Sequence, residues 1–199
     1  MKNPPPSQPT RDRLVGAMAD ALQRRGLHGV GLSELLDRAG APKGVLYHHF
    51  PGGKNELAVA AIRSAVARLG TALDQLLATH AEPGPALASW METSARLLES
   101  SAYERGCPLA TVALESGAHD QAIRDALAEG FAAIRERIVE ALGAASVSAA
   151  KSRRLAALIV SAYEGALLQA RVARSTESMR DTMEVLLDLV RLETRGRGR

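Results

Sequence analysis

Lys43, Gly44, Tyr47 and His48 fall within six residues of one another. On a helix, Lys43 and Tyr47 would form one i, i+4 pair and Gly44 and His48 the next. Such a ridge offers a cation, a phenolic hydroxyl, an imidazole and a bare stretch of backbone, which are the groups that read base edges in a major groove. Val45 supplies a surface for a thymine methyl. Lys54 follows Gly52 and Gly53, so its ammonium would stand beside backbone N–H groups at the positive end of a helix, where a phosphate can be held. Tyr47 and His49 are further candidates for phosphate contacts, which set position, while Lys43, Gly44, Val45 and His48 would read sequence. A solvated helix without partner is the alternative for so short a segment taken alone.

Other chemistry is poorly served by the chain. Cys107 could act as a nucleophile with His119 as its base, but a lone cysteine in a Gly-Cys-Pro turn is more often a buried thiol. Its solitude excludes an internal disulfide and agrees with a reducing compartment. The five histidines show no HExxH pair or other zinc spacing, so neither a metal nor a cofactor is expected. A helical enzyme that modifies small molecules through Cys107, and a helical adaptor that ignores DNA, stand as the alternatives to a DNA-binding protein.

The elements that would position these residues are helical. Ala, Leu, Glu and Arg recur through 199 residues, aromatics make up 3%, and β-branched residues never gather into alternating runs, so an all-α fold is expected. No unbroken apolar run approaches the roughly 18 residues of a membrane span. The opening MKNPPPSQPT lacks the apolar segment of an export signal, so a cytoplasmic protein is expected. Residues 1–9 should be a flexible arm. Thr10 is a plausible N-cap for a helix whose face carries Leu14, Met18, Ala21 and Leu22, ending near Gly26. A second helix runs from Leu32 with Leu35, Leu36 and Ala39 on its stripe and stops at Gly40. Pro42 then suits the first turn of a third, short helix in which Leu46 and Phe50 face the core, before Pro51, Gly52 and Gly53 interrupt it. Two short helices joined by a glycine turn and braced by a longer one make a helix-turn-helix domain over 10–53.

Charge follows the same division. Residues 1–54 carry a net of +4, residues 55–190 a net of −4, and residues 191–199 a net of +3. A basic head on an acidic body suits a polyanionic partner for the head.

The stretch GLSELLDRAGAPKGVLYHHFPGGKNELA resembles the DNA-binding signature of the TetR family. In that signature a glycine turn leads to a recognition helix ending in a Leu-Tyr-x-His-Phe core, followed by a lysine that opens the next helix. Here these elements are Gly40, the run Lys43 to Phe50, and Lys54. The HFPGGK form, together with RGCPLATVALE at 105–115, is similar to the LmrA/YxaF-like branch of drug-responsive repressors. Two positions depart from the pattern: Gly31 stands where a Ser or Thr cap is usual, and Pro42 where many members have a hydroxyl. The resemblance implies a ligand-responsive repressor that binds palindromic double-stranded operator DNA as a homodimer, with Ser33 and Pro42 completing its DNA-facing set.

Beyond Lys54 the pattern predicts long amphipathic helices over about 54–79, 84–101, 108–116, 119–142, 149–174 and 178–194, with breaks at prolines and small residues. This effector-binding and dimerisation domain, 54–194, would be followed by a basic tail at 195–199. Its last two helices should pair between subunits as a four-helix bundle through Leu155, Ile159, Ala162 and Ala166 on one, and Met183, Leu186, Leu187 and Val190 on the other. Core packing within one chain is the alternative for part of each stripe. The domain's aromatics, Trp90, Tyr103, Phe131 and Tyr163, with Cys107, Thr111, Glu164 and Gln169, are candidates for a pocket taking a small hydrophobic effector. By resemblance, that pocket lies among the central helices.

Overall fold

The computed structural model describes residues 9–117 and 119–195, the last by its backbone alone. Apart from Pro9 and the backbone of Arg195, the expected arm and basic tail lie outside these residues. The described residues form nine helices and no strand, an all-α fold. They are α1 (Thr10–Arg25), α2 (Leu32–Ala39), α3 (Lys43–His49), α4 (Gly53–Thr79), α5 (Pro83–Ser100), α6 (Pro108–Ala113), α7 (Gln121–Ala144), α8 (Ala149–Ala173) and α9 (Glu177–Arg195). The chain packs as two units. One combines the described residues up to Val66 with Cys107–Gly130; the other combines Ala67–Gly106 with the residues from Phe131 onward. The expected boundary between residues 53 and 54 falls at the start of α4, inside the first unit.

In the first unit, α1 buries Leu14, Met18, Ala21 and Leu22, α2 buries Leu35, Leu36 and Ala39, and α3 contributes Leu46. The N-cap of α1 is Pro9 and not Thr10: the Pro9 carbonyl accepts from the N–H groups of Asp12 and Arg13. Proline can serve because an N-cap needs its carbonyl and an extended backbone, not an N–H. Pro42 likewise caps α3 from outside, at φ −64 and ψ 151, and does not join its first turn. Gly40 closes α2 in the left-handed conformation, φ 59 and ψ 40, and Ala41 N–H returns to the Leu36 carbonyl at 3.0 Å. Two charged braces fix α2 on α1. Arg25 donates to both carboxylate oxygens of Glu34, which that bond holds below its usual pKa, and Arg38 donates to Asp20 at 2.7 Å. Short α6 packs on α1 and buries Leu109 and Val112 completely. A Cβ added to Gly130 of α7 would lie 2.7 Å from Val66 Cγ2 and 3.0 Å from Leu109 Cδ2, so only glycine lets α4, α6 and α7 meet there.

In the second unit, α9 packs on both α5 and α8. The core is built from Leu87, Trp90, Met91 and Leu98 of α5, Leu155, Ile159, Tyr163, Ala166 and Ala170 of α8, and Met179, Leu186 and Val190 of α9. By length and mean hydropathy, 1.3 over its most apolar window, α8 is the one helix among the described residues apolar enough to cross a membrane. That differs from the expectation drawn from unbroken apolar runs, because in α8 apolar residues are spread among small ones. Of that window 44% is buried inside the protein.

Candidate nucleic-acid interface and effector unit

The ridge on α3 exists because its opposite side is anchored. Leu46 is fully buried and Phe50, the residue that ends the helix, is nearly so. Lys43, Gly44, Tyr47 and His48 are then exposed, with 46% of Tyr47 accessible. Ser33 on α2 and Pro42 at the entry to α3 are exposed as well. Val45 and His49 are half-buried. The His49 ring is set edgewise between His48, at 5.1 Å, and Phe50, at 6.5 Å. The Arg11 guanidinium lies 5.3 Å above the Phe50 ring, which places a further cation at the foot of the ridge.

Lys54 is placed differently from expectation. The N–H of Gly52 donates to Glu56 Oε2 at 2.7 Å and that of Gly53 to the Phe50 carbonyl at 2.8 Å, so neither amide is open to a phosphate. A carboxylate from the first turn of α4 occupies the position where an anion is favoured. Lys54 itself is half-buried; burial lowers the pKa of its ammonium, and the nearby charge of Glu115 opposes that shift only in part.

Glu115 was not singled out from sequence. It follows α6, and its Oε2 accepts from the N–H groups of Leu27 at 2.5 Å and His28 at 3.0 Å, with His28 Nδ1 3.5 Å away. Its sequence signal was its place at the end of RGCPLATVALE, which carries no periodicity of its own.

The expected dimer seam is largely core. Leu155, Ile159, Ala166, Leu186 and Val190 are buried within the single chain, and Ala162, Met183 and Leu187 are half-buried. An apolar stripe at helical spacing faces the nearest apolar partner, which here is α5, α8 or α9 of the same chain. The exposed large apolar residues of α8 and α9 lie on the other faces: Leu158, Leu168 and Val172 of α8, and Val185 and Leu192 of α9. Ser161 and Gly165 lie between those of α8, so the row steps by three or four residues along one face.

Among the expected pocket residues, Trp90 and Tyr163 are brought together. Their rings stack at 4.3 Å, and the Tyr163 hydroxyl donates to Ser94 Oγ at 3.1 Å. Tyr103 sits in the turn after α5 at φ 62, with the Arg174 guanidinium 5.7 Å above its ring. Thr111 donates its hydroxyl to the Cys107 carbonyl at 2.8 Å, and Cys107 is buried. Phe131 and Glu164 are half-buried. Gln169 is exposed on α8, its amide donating to the Gly165 carbonyl. A groove of about 440 Å³ between α5 and α9 is lined by Met91, Ala95, Met179 and Met183 below charged side chains that include Arg96 and Arg180. A second groove, about 400 Å³, lies beside His80, Leu77 and the Ala141–Ala145 end of α7. None of the eight expected pocket residues lines either groove.

Residues 14–61, which hold this helix-turn-helix, match the family described as bacterial regulatory proteins of the tetR family, and residues 83–185 match the transcriptional regulator LmrA/YxaF-like C-terminal domain. The chain belongs to the TetR family. This TetR-family protein is a transcriptional regulator and not an enzyme. It is 31% identical over 175 residues to an uncharacterized HTH-type transcriptional regulator, Rv0196, of Mycobacterium tuberculosis, a match covering 84% of this chain and 87% of that one. It is 22% identical over 182 residues to the HTH-type transcriptional regulator LmrA of Bacillus subtilis, covering 92% and 97%. Its fold is similar to that of a cysteine variant of the TetR-family regulator CifR complexed with 26-bp double-strand operator DNA. That likeness has a TM-score of 0.74 and 21% identity, and covers 94% of this chain and 98% of the other.

Proposed function

We propose that this regulator is a ligand-released repressor that binds a palindromic operator as a homodimer. The observation that carries the reading is the exposed row of Lys43, Gly44, Tyr47 and His48, held outward by the buried Leu46 and Phe50. A cation and an imidazole reach base edges by hydrogen bonds, Gly44 admits close approach, and Val45 meets a thymine methyl with the half of its side chain left exposed. Tyr47, His49, Ser33, Pro42 and Arg11 border the ridge where the phosphate backbone would pass, and Lys54 contributes its charge from the start of α4. CifR, whose fold is similar, is complexed with double-strand operator DNA, which supports DNA as the partner of this fold. A DNA-binding role agrees with a cytoplasmic protein.

Dimerisation follows from what the α3 helix lacks. Seven residues read too few base pairs for high affinity, and two heads about 34–36 Å apart engage successive major-groove turns. The exposed row of Leu158, Leu168 and Val172 with Val185 and Leu192 supplies an apolar face for a second copy about a two-fold axis. For the effector, the groove between α5 and α9 has the size and apolar floor that suit a small hydrophobic molecule, and its methionines adapt to different shapes. Release requires only that such a molecule prefer, by a few kcal/mol, a state whose heads are wrongly spaced.

The test is selection of binding sites by the full chain from random double-stranded DNA, followed by fluorescence anisotropy on the enriched sequence. Enrichment of an inverted repeat, bound by two copies of the chain and weakened by a small hydrophobic compound, is the expected result. Failure to enrich any sequence would sink the operator assignment.

A further inference from the structure

We propose that Glu115 is a positioning residue for operator binding: its carboxylate clamps the turn after α1 and so holds the reading helices on α6. This rests on the operator-binding assignment above. Where α1 ends, Gly26 N–H still returns to the Leu22 carbonyl, but the next two amides, Leu27 and His28, leave the helix. Leu27 is buried, so a missing acceptor would be costly there. The acceptor comes from 88 residues further along: one oxygen of Glu115 takes both N–H groups, at 2.5 and 3.0 Å. Bonds to an ionised acceptor are roughly twice as strong as neutral ones. His28 Nδ1 also lies 3.5 Å from this carboxylate, and its charge acts on Lys54.

Both sides of the clamp are built for it. Glu115 and Ser116 each return an N–H to the Val112 carbonyl at 3.0 Å, and Leu109, one turn back, is wedged beside Gly130. The carboxylate therefore stands on a fixed mount. Opposite it, Gly26 lies at φ +70, and a Cβ there would come 2.1 Å from Glu115 Oε1. A side chain at position 26 and a seated carboxylate exclude each other. Neither Glu115 nor the turn it grips belongs to the α3 ridge, so the clamp acts by fixing where that ridge points. A head free to tilt loses orientational freedom on every binding event, and affinity falls while the contacts with DNA stay the same.

The experiment uses the full chain on its selected operator, at a temperature where circular dichroism shows every variant folded. Glu115→Ala, which removes both hydrogen bonds to the turn, should raise the operator Kd about tenfold. It should leave the salt slope and base preference unchanged and speed hydrogen exchange at the Leu27 and His28 amides. Glu115→Gln, which keeps an oxygen acceptor in place, should recover most of the affinity. Gly26→Ala should lower stability through its backbone at φ +70 whatever stands at position 115; in operator binding it should reproduce the loss in the wild type and add little once Glu115 is alanine. Operator binding by Glu115→Ala equal to wild type, or an altered salt slope, would overturn the proposal while leaving the operator assignment intact. A wild-type chain that selects no DNA would remove that assignment, and this proposal with it.

Discussion

Tyr47 lies against Gly53: a Cβ built on that glycine would come within 3.3 Å of Tyr47 Cε1, and its backbone sits at φ +68. The glycine that starts α4 thus also sets the resting place of an exposed aromatic on the reading ridge. Gly53→Ala should destabilise the protein by about 1–2 kcal/mol through the left-handed backbone alone. It should also weaken operator binding beyond that, because Tyr47 must move. Urea denaturation and anisotropy on the same samples separate the two effects; unchanged binding would show that Tyr47 has no part in DNA contact.

Lys54 makes a prediction about pH. Burial lowers its pKa from the ordinary 10.5, so the folded protein holds this proton less tightly than the unfolded chain. The charged form is therefore a cost to the fold below the lowered value, and the cost disappears as pH rises toward 10.5. Lys54→Met, which keeps the chain length and removes the charge, should raise the melting temperature at neutral pH, with the gain shrinking as the buffer is made alkaline. A gain that grows with pH would contradict the assigned cause.

The two lysines should fail in different ways on DNA. Lys43→Ala should cost about 1–3 kcal/mol on the best operator and relax preference at one base pair. Lys54→Ala should weaken all sequences alike and flatten the dependence of log Kd on log salt by about one. Titrations against single-base operator variants at several salt concentrations decide between them, and identical behaviour of both variants would end this division of labour.

Two neighbouring leucines of α8 test the face proposed for a second copy. Leu158 is exposed and Leu155 buried, so Leu158→Glu should leave a folded protein of half the mass in sedimentation, with much weaker operator binding. Leu155→Glu should fail at folding, since an unpaired charge in a core costs several kcal/mol. A Leu158→Glu protein that still sediments as a dimer would move the interface elsewhere.

The helices and the outward ridge were legible in the chain because they depend on local chemistry. Gly40, Pro42 and the alternation of Leu46 and Phe50 with Lys43, Tyr47 and His48 are read from propensity and a period of 3.6 residues. Other features were not readable. The stripe of Leu155, Ile159 and Ala166 announces an apolar neighbour but not whose, and that neighbour proved to be the same chain. The open amides expected beside Lys54 were occupied by Glu56 and by the Phe50 carbonyl, both only a few residues away, yet dependent on the turn that folds them back.

What the amino-acid order determined by itself was the all-α fold, the helix boundaries to within about three residues, and the face of α3 turned away from the core. Periodicity carries that information wherever a helix has one buried side. Only tertiary packing decided which apolar faces were left over on α8 and α9, and that Glu115 closes on Leu27 and His28. Such pairings join residues far apart in the chain, and neither partner alone bears any mark of the other.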